Sequence, residues 1–441
     1  MTEGINSRMD LKVVFKSMKY RNYRLFYIGQ GISLTGTWMQ LIALSWLVYR
    51  MTNSALLLGL VGFAGQIPTF LLAPIAGVIA DRYNRRRILI ITQALAMIQA
   101  FILTGLVLSG NIAVWHIVVL SAILGLVNSF DIPVRHSFVV EMIDNRKDLG
   151  NAIALNSSLF NAARLIGPSI AGVLIALAGE GACFLINAIS YIAVIITLVA
   201  IRVPCRKSDI PHKHIFHELK EGFVYAFNFT PIKTILSMLA LVSLMGVPYQ
   251  ILMPVFVRDI FHRGPETLGF LMAISGAGAL AGAIYLAARN SVVGLTKIIA
   301  FSSGIFGIGV MLFGVSTKIL FSMPLIFIVG FAMMVQMAAS NTILQSVVEE
   351  DKRGRVMSLY TMAFMGTVPL GSLMAGGLAD KIGAPYTLLI GGACCVIGAF
   401  LFASKIQALR KKIRPVYIKK GIIPEVAEGI EAASGLKGLS A

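Results

Sequence analysis

The sequence predicts an all-α membrane protein, with twelve transmembrane helices in two pseudo-symmetric six-helix bundles. Three observations carry this. The 441-residue chain is 57% hydrophobic and only 13% charged, outside the balance of soluble domains. Its apolar residues gather into twelve runs, each close to the ~20 residues a helix needs to cross a bilayer. Its second half repeats the first: Gly150, Leu155, Gly167, Gly172 and Gly179 recur as Gly354, Leu359, Gly371, Gly376 and Gly383 at one constant spacing. Two copies of one membrane unit point to two bundles about a central site.

The runs are 25–48, 56–80, 88–108, 114–140, 152–178, 183–201, 232–257, 268–288, 298–315, 320–348, 356–379 and 386–403. A helix satisfies its own backbone in lipid, so runs of this length read as helices rather than barrel strands. Residues 1–22 form a cytoplasmic N-terminal segment and 23–203 the first bundle. Residues 204–230 are a cytoplasmic linker, 231–405 the second bundle and 406–441 a cytoplasmic tail. In the linker, Phe216, Leu219, Phe223 and Phe227 recur at helical spacing, as in a short helix lying on the membrane face. The tail is basic, then mixed, and is expected to be poorly ordered at its end. The polar start and long first run do not read as a cleavable signal.

The net charge of +18 follows topology rather than nucleic-acid binding. With both termini inside, the basic residues crowd the cytoplasmic loops. Outside fall only Arg50, Arg258, Arg263, Lys318 and Lys381, and Arg164 lies within a span. This is the positive-inside pattern of a multi-pass membrane protein. Cys183, Cys205, Cys394 and Cys395 show neither metal-ligand spacing nor a disulfide framework. His212, His214, His217 and Glu218 sit in a loop without a rigid frame, so no metal and no cofactor are expected.

Several function classes drop out. The outer loops 109–113 and 179–182 are bare turns, leaving nothing for a receptor or surface enzyme. Gly276-Ala-Gly278-Ala-Leu-Ala-Gly282 follows no strand and precedes no lysine, so it is helix packing and not a phosphate loop. Energy for transport then comes from an ion gradient or from the substrate's own gradient. No nucleophile, base and metal ligands cluster inside the membrane, which argues against an enzyme.

The candidate substrate and proton pathway rests on charges at membrane depth. Arg164, in Asn161-Ala-Ala-Arg164-Leu-Ile-Gly167-Pro168-Ser-Ile-Ala-Gly172, sits ~22 Å into its helix. An arginine there costs at least ~2.5–3.5 kcal/mol, so a carboxylate, a wet cavity or an anionic substrate must offset it. Asp131 lies one turn before Arg135, with Pro133 between them. It is placed to pair with Arg135, with Arg164, or to alternate between them; a fixed Asp131–Arg135 or Asp81–Arg135 clasp is the other reading. Losing a cationic neighbour raises a carboxyl pKa, so exchange would carry a proton. Gln30, Asn161 and Asn341 join Asp131, Arg135 and Arg164 as candidates. Further polar residues at this depth are Gln40, Gln66, Asn156, Asn187, Gln250 and Gln336.

The loop after the second run reads Gly77-Val-Ile-Ala-Asp81-Arg82-Tyr83-Asn84-Arg85-Arg86-Arg87. It resembles the signature loop of the major facilitator superfamily, except that Asn84 stands where the family has glycine. Asparagine tolerates a left-handed backbone next best. The resemblance implies that Gly77, Asp81, Arg82 and Arg86 latch the cytoplasmic side, with Asp81 facing the helix N-terminus near Gly354. Gly376-Gly-Leu-Ala-Asp380-Lys-Ile-Gly383 looks alike but falls outside, and reads as a capped turn. The stretch Gly167, Pro168 and Gly172 resembles the Gly-Pro motif of exporters that exchange substrate against protons. It is expected to act in packing and gating. With 131–135, 149–156, 353–358 and 369–371, the chain resembles the enterobactin-exporter and macrolide-efflux branch.

The resemblance implies a secondary transporter. It would export a small amphipathic molecule, such as a siderophore or drug, against protons by alternating access, as a monomer in the lipid bilayer. A carrier moving a lipid-like substrate between leaflets is the alternative, and a membrane scaffold or enzyme a remote one.

Overall fold

The structure is a computed structural model and describes residues 15–203, 223–289 and 291–421; of residues 73, 74, 77, 78, 80–82, 146 and 351 it describes only the backbone. Twelve helices are long and apolar enough to cross a membrane. They are α1 (Arg21–Thr52), α2 (Ala55–Arg82), α3 (Arg85–Leu108), α4 (Val114–Glu141), α5 (Leu149–Ala178) and α6 (Glu180–Ala200). After the linker come α7 (Thr230–Ile260), α8 (Pro265–Ala287), α9 (Leu295–Val315), α10 (Ile319–Val347), α11 (Arg353–Ile382) and α12 (Ala384–Ser404). Among the described residues there is no strand. Large side chains stay bare on the outer surfaces, such as Leu177 at 81% and Phe400 at 75% exposure. That suits lipid and not water.

Local chemistry starts and stops the helices. Ser54 caps α2 by accepting from the Leu57 amide at 3.2 Å, and Asn84 caps α3 by accepting from the Arg87 amide at 3.1 Å. Asn84 has φ −63°, so the left-handed turn expected there does not form; the asparagine serves as an N-cap instead. The repeat shows at matching stops. Gly179 ends α5 at φ 78° and Gly383 ends α11 at φ 87°, a backbone that favours glycine. Span α7 holds π turns at Val242–Gly246 and Phe256–Ile260, and α11 one at Met362–Gly366.

The bundles meet along two helix pairs, α5 with α8 and α2 with α11. Glycine allows both. A Cβ on Gly269 would lie 2.3 Å from the Pro168 carbonyl, and one on Gly172 2.9 Å from the Pro265 carbonyl. At the repeat-related positions, a Cβ on Gly376 would lie 2.5 Å from the Ala55 carbonyl, and one on Gly59 2.4 Å from that of Ser372. Backbones this close gain dispersion and Cα–H···O contacts where lipid supplies no hydrophobic drive. Within the first bundle a buried amide ladder ties three helices: Asn187 donates to Gln40 at 2.8 Å, and Gln40 to Gln99 at 3.3 Å.

Ile406–Lys419 forms a further helix, α13, burying Leu409, Ile413 and Tyr417. Lys420 ties its end to the carbonyls of Ser346 and Val348 at 3.0 and 2.6 Å. The buried positions recur every four residues, so the charge of this stretch hides an amphipathic pattern. Residues 204–222, with Phe216, Leu219 and the His212, His214 and His217 cluster, and residues 422–441 lie outside the described residues.

Candidate functional site

Two ends of the molecule can be told apart by charge. The basic end carries Arg85–Arg87, Lys147 and Lys352, and the opposite end the turns at 53–54 and 261–264. Between them lie Asp131 and Arg164.

Asp131 is 3% exposed within the first bundle. Its Oδ1 accepts from Thr92 Oγ1 at 3.0 Å and Gln93 Nε2 at 2.8 Å. Its Oδ2 lies 3.5 Å from Arg135 Nε, and Arg135 Nη1 donates to Gln30 Oε1 at 3.1 Å. Of the partners the sequence left open, the structure selects Arg135, and α3 adds two donors. Gln30 Nε2 and Gln93 Oε1 remain buried with no hydrogen-bond partner, so this network has unused capacity.

Arg164 is apart from this network. It sits midway along α5, about 22 Å from either end at 1.5 Å per residue. Its guanidinium lies 5.8 Å from the centre of the Trp38 ring, and Trp38 packs edge-on against Phe160 at 5.8 Å. Among the described residues no carboxylate comes within ion-pair reach of Arg164. Its backbone faces Gly276 of α8, where a Cβ would lie 3.2 Å from the Arg164 carbonyl. Arg164 thus stands where the bundles meet. Towards the basic end the same helix shows polar residues: Ser157 and Ser158 are exposed and Asn161 is partly so. Asn161 spends its amide on the Ser157 carbonyl at 2.9 Å.

The remaining candidates fall elsewhere. Asn341 on α10 accepts from Gln345 within its own helix and, among the described residues, makes no hydrogen bond to Asp131 or Arg164. Arg86 donates to the carbonyls of Leu198 and Val199 at 2.6 and 2.5 Å, closing the end of α6. Gly167 lies against α1, where a Cβ would meet that of Trp38 at 2.5 Å; Pro168 is buried in α5. The side chains of Gly77, Asp81 and Arg82 lie outside the described residues.

The opposite end holds contacts that the sequence reading missed. Tyr49 at the end of α1 donates to Asp259 at the end of α7. Arg258 donates to the Tyr49 carbonyl at 3.1 Å and lies 5.8 Å from its ring. Asp380 accepts from the Ser54 hydroxyl at 2.8 Å and the Ala55 amide at 2.7 Å. So Asp380 is not merely part of a capped turn: it caps the N-terminus of α2 from the other bundle. The signal was present in its likeness to the signature loop, but the reading discounted it for lying outside. Among the described side chains, every hydrogen bond between the bundles is at this end.

Two six-helix bundles meeting along α2–α11 and α5–α8 define a transporter of the major facilitator class. Solved structures agree on the fold. A bacterial homologue of the lysosomal transporter Spinster, in an inward-facing and unoccupied conformation, matches with a TM-score of 0.69 at 13% identity, covering 90% of this chain and 98% of that one. A bacterial homologue of ferroportin in an inward-facing state matches with a TM-score of 0.67 at 17% identity, covering 87% and 98%. Residues 14–435 match the family model described as transmembrane secretion effector, and the chain belongs to that family, in the siderophore and macrolide efflux branch of the superfamily. Relatives include the staphyloferrin A transporter of Staphylococcus aureus, 27% identical over 87% of this chain and 96% of that protein. Macrolide efflux protein A of Streptococcus pyogenes is 22% identical over 89% and 98%. The multidrug efflux pump Tap of Mycolicibacterium fortuitum is 25% identical over 80% and 88%. The protein is a multi-pass membrane transporter of small organic substrates, and not an enzyme.

Proposed function

We propose that this protein exports a small amphipathic molecule across a bacterial cytoplasmic membrane in exchange for protons, by alternating access, as a monomer. The basic end faces the cytoplasm and both termini lie there. The closed opposite end, with polar side chains on the inner half of α5, is the arrangement that admits substrate from the cytoplasm. Asp131 takes the coupling proton. In the present arrangement Thr92, Gln93 and Arg135 hold it. A rearrangement that draws Arg135 or α3 away leaves a carboxylate in an apolar bundle, where the neutral form wins. Gln30 keeps hold of Arg135, and Asp81 with Arg82 and Gly77 latches the cytoplasmic side in the opposite state.

The observation that carries the reading is the burial of Asp131 on three donors inside one bundle. The test is whole-cell accumulation of a panel of siderophores and macrolides, with the gene deleted and restored, with and without an uncoupler. Restoration should lower accumulation of at least one compound, and the uncoupler should abolish the difference. Asp131→Asn should behave as the deletion while reaching the membrane at wild-type levels. Undiminished uphill export by that variant removes Asp131 from coupling.

A further inference from the structure

We infer that Arg164, Trp38 and Phe160 form a receptor for an organic carboxylate with an apolar or aromatic body, so that the transported substrate is an anion. The inference rests on the reading of the chain as a carrier of small organic molecules, but not on proton coupling. A guanidinium at mid-membrane depth needs compensation, and the other deep cation of this bundle, Arg135, has it from Asp131 and Gln30. Arg164 has neither. Among the described residues it makes no ion pair and no side-chain hydrogen bond, and its contact is the Trp38 ring. A ring face offsets a guanidinium only in part and leaves its N–H fork unused.

That fork is not sealed. Arg164 remains partly exposed, and none of its nitrogens is among the buried unpartnered atoms. Phe160, one turn towards the basic end, is 45% exposed beside Trp38. On the side of the second bundle stands fully buried Tyr249, its hydroxyl paired with Ser275 at 2.8 Å. A planar fork of donors matches a carboxylate in bidentate fashion, and the rings beside it suit an apolar body. The repeat places Val368 at the position of Arg164 in the second half. The cation is therefore no requirement of the shared helix packing, which both halves achieve.

The test is equilibrium binding to the full-length protein in nanodiscs, without any gradient, using dansylglycine and its methyl ester as a matched acid and neutral pair. Dansyl fluorescence reports binding, and energy transfer from tryptophan reports the place. Wild type should prefer the acid by about 10- to 100-fold, the range of a charge-assisted hydrogen bond. Arg164→Gln should reduce the preference to about one, and Arg164→Lys should retain part of it. Trp38→Phe should weaken the binding of both compounds and cut the energy transfer to what remains bound. Equal affinity of wild type for acid and ester, or no binding of either, overturns the inference, as does an undiminished preference in Arg164→Gln. Should Arg164→Gln fail to fold, wild type and Arg164→Lys decide it alone. Because no gradient is applied, the result stands whatever Asp131→Asn does in export.

Discussion

At the scale of single residues, this chain uses its few carboxylates as clasps. Asp148, 1% exposed at the N-cap of α5, forms ion pairs with Lys16 and Lys19 at 2.8 and 2.6 Å and accepts from the Tyr20 hydroxyl at 2.8 Å. Hydrogen bonds from Lys16, Lys19 and Tyr20 hold its carboxyl well below the usual carboxylate range, and Asp148 in turn raises the Lys19 ammonium. The signs set a window. A lowered acid contributes above its unfolded value near ~4 and loses that contribution as pH falls through its folded value. A raised lysine contributes below ~10.4 and loses that as pH rises through its folded value. The clasp is thus constant from about pH 4 to 10. Asp148→Asn should free the Lys16–Lys19 turn, so that trypsin cuts there several-fold faster at pH 8, with the rest of the protein equally resistant. Unchanged cleavage would deny the clasp a structural role. Asp148 passed unnoticed in the sequence because its partners are more than 120 residues away, whereas Asp131 and Arg135 were legible as neighbours on one helical turn.

At the scale of helices, the bundle seam depends on missing side chains. Gly269 faces backbone on α5, which cannot move aside as a flexible side chain can. Gly269→Leu should destabilise the protein by about 1–3 kcal/mol, the usual cost of overpacking, seen as a lower melting temperature in detergent. Gly105, with nothing within 4 Å, is the control. Gly105→Ala should be neutral or slightly stabilising, since alanine restricts the unfolded chain and is the better helix former. An equal loss from both substitutions would refute the packing account. The twelve spans themselves were legible because apolar length is a one-dimensional signal. The π turns of α7 and α11 were not, since they depend on how neighbouring helices meet. Helix α13 was hidden because seven basic residues between Lys405 and Lys420 mask the apolar spacing of Leu409, Ile413 and Tyr417.

At the scale of the whole molecule, the repeat supplies a near-symmetric frame and the charges break it. Both seams use the same glycine positions, yet Asp131 and Arg164 lie only in the first half, and Asp380 has Ala176 at its repeat-related position. The end opposite the basic loops is held by Asp259 on Tyr49 and by Asp380 on Ser54 and Ala55. Both carboxylates are exposed, so each contact is worth only about 1 kcal/mol after screening, a factor of about five in population. Asp259→Asn with Asp380→Asn together should shift the balance away from this closed arrangement by roughly 30-fold. Spin labels at Asn111→Cys and Thr317→Cys, in turns of opposite bundles at that end, report the change. In a background free of Cys183, Cys205, Cys394 and Cys395, the wild-type pair should give one dominant short distance. The doubly substituted protein should add a longer one, because only Arg258 on Tyr49 and the glycine seams then oppose separation at that end. Raising the salt concentration should move the otherwise unaltered protein in the same direction, since exposed charges are screened within a Debye length of ~8 Å at physiological salt. A single short distance under every condition would mean that Asp259 and Asp380 are not what keeps this end shut.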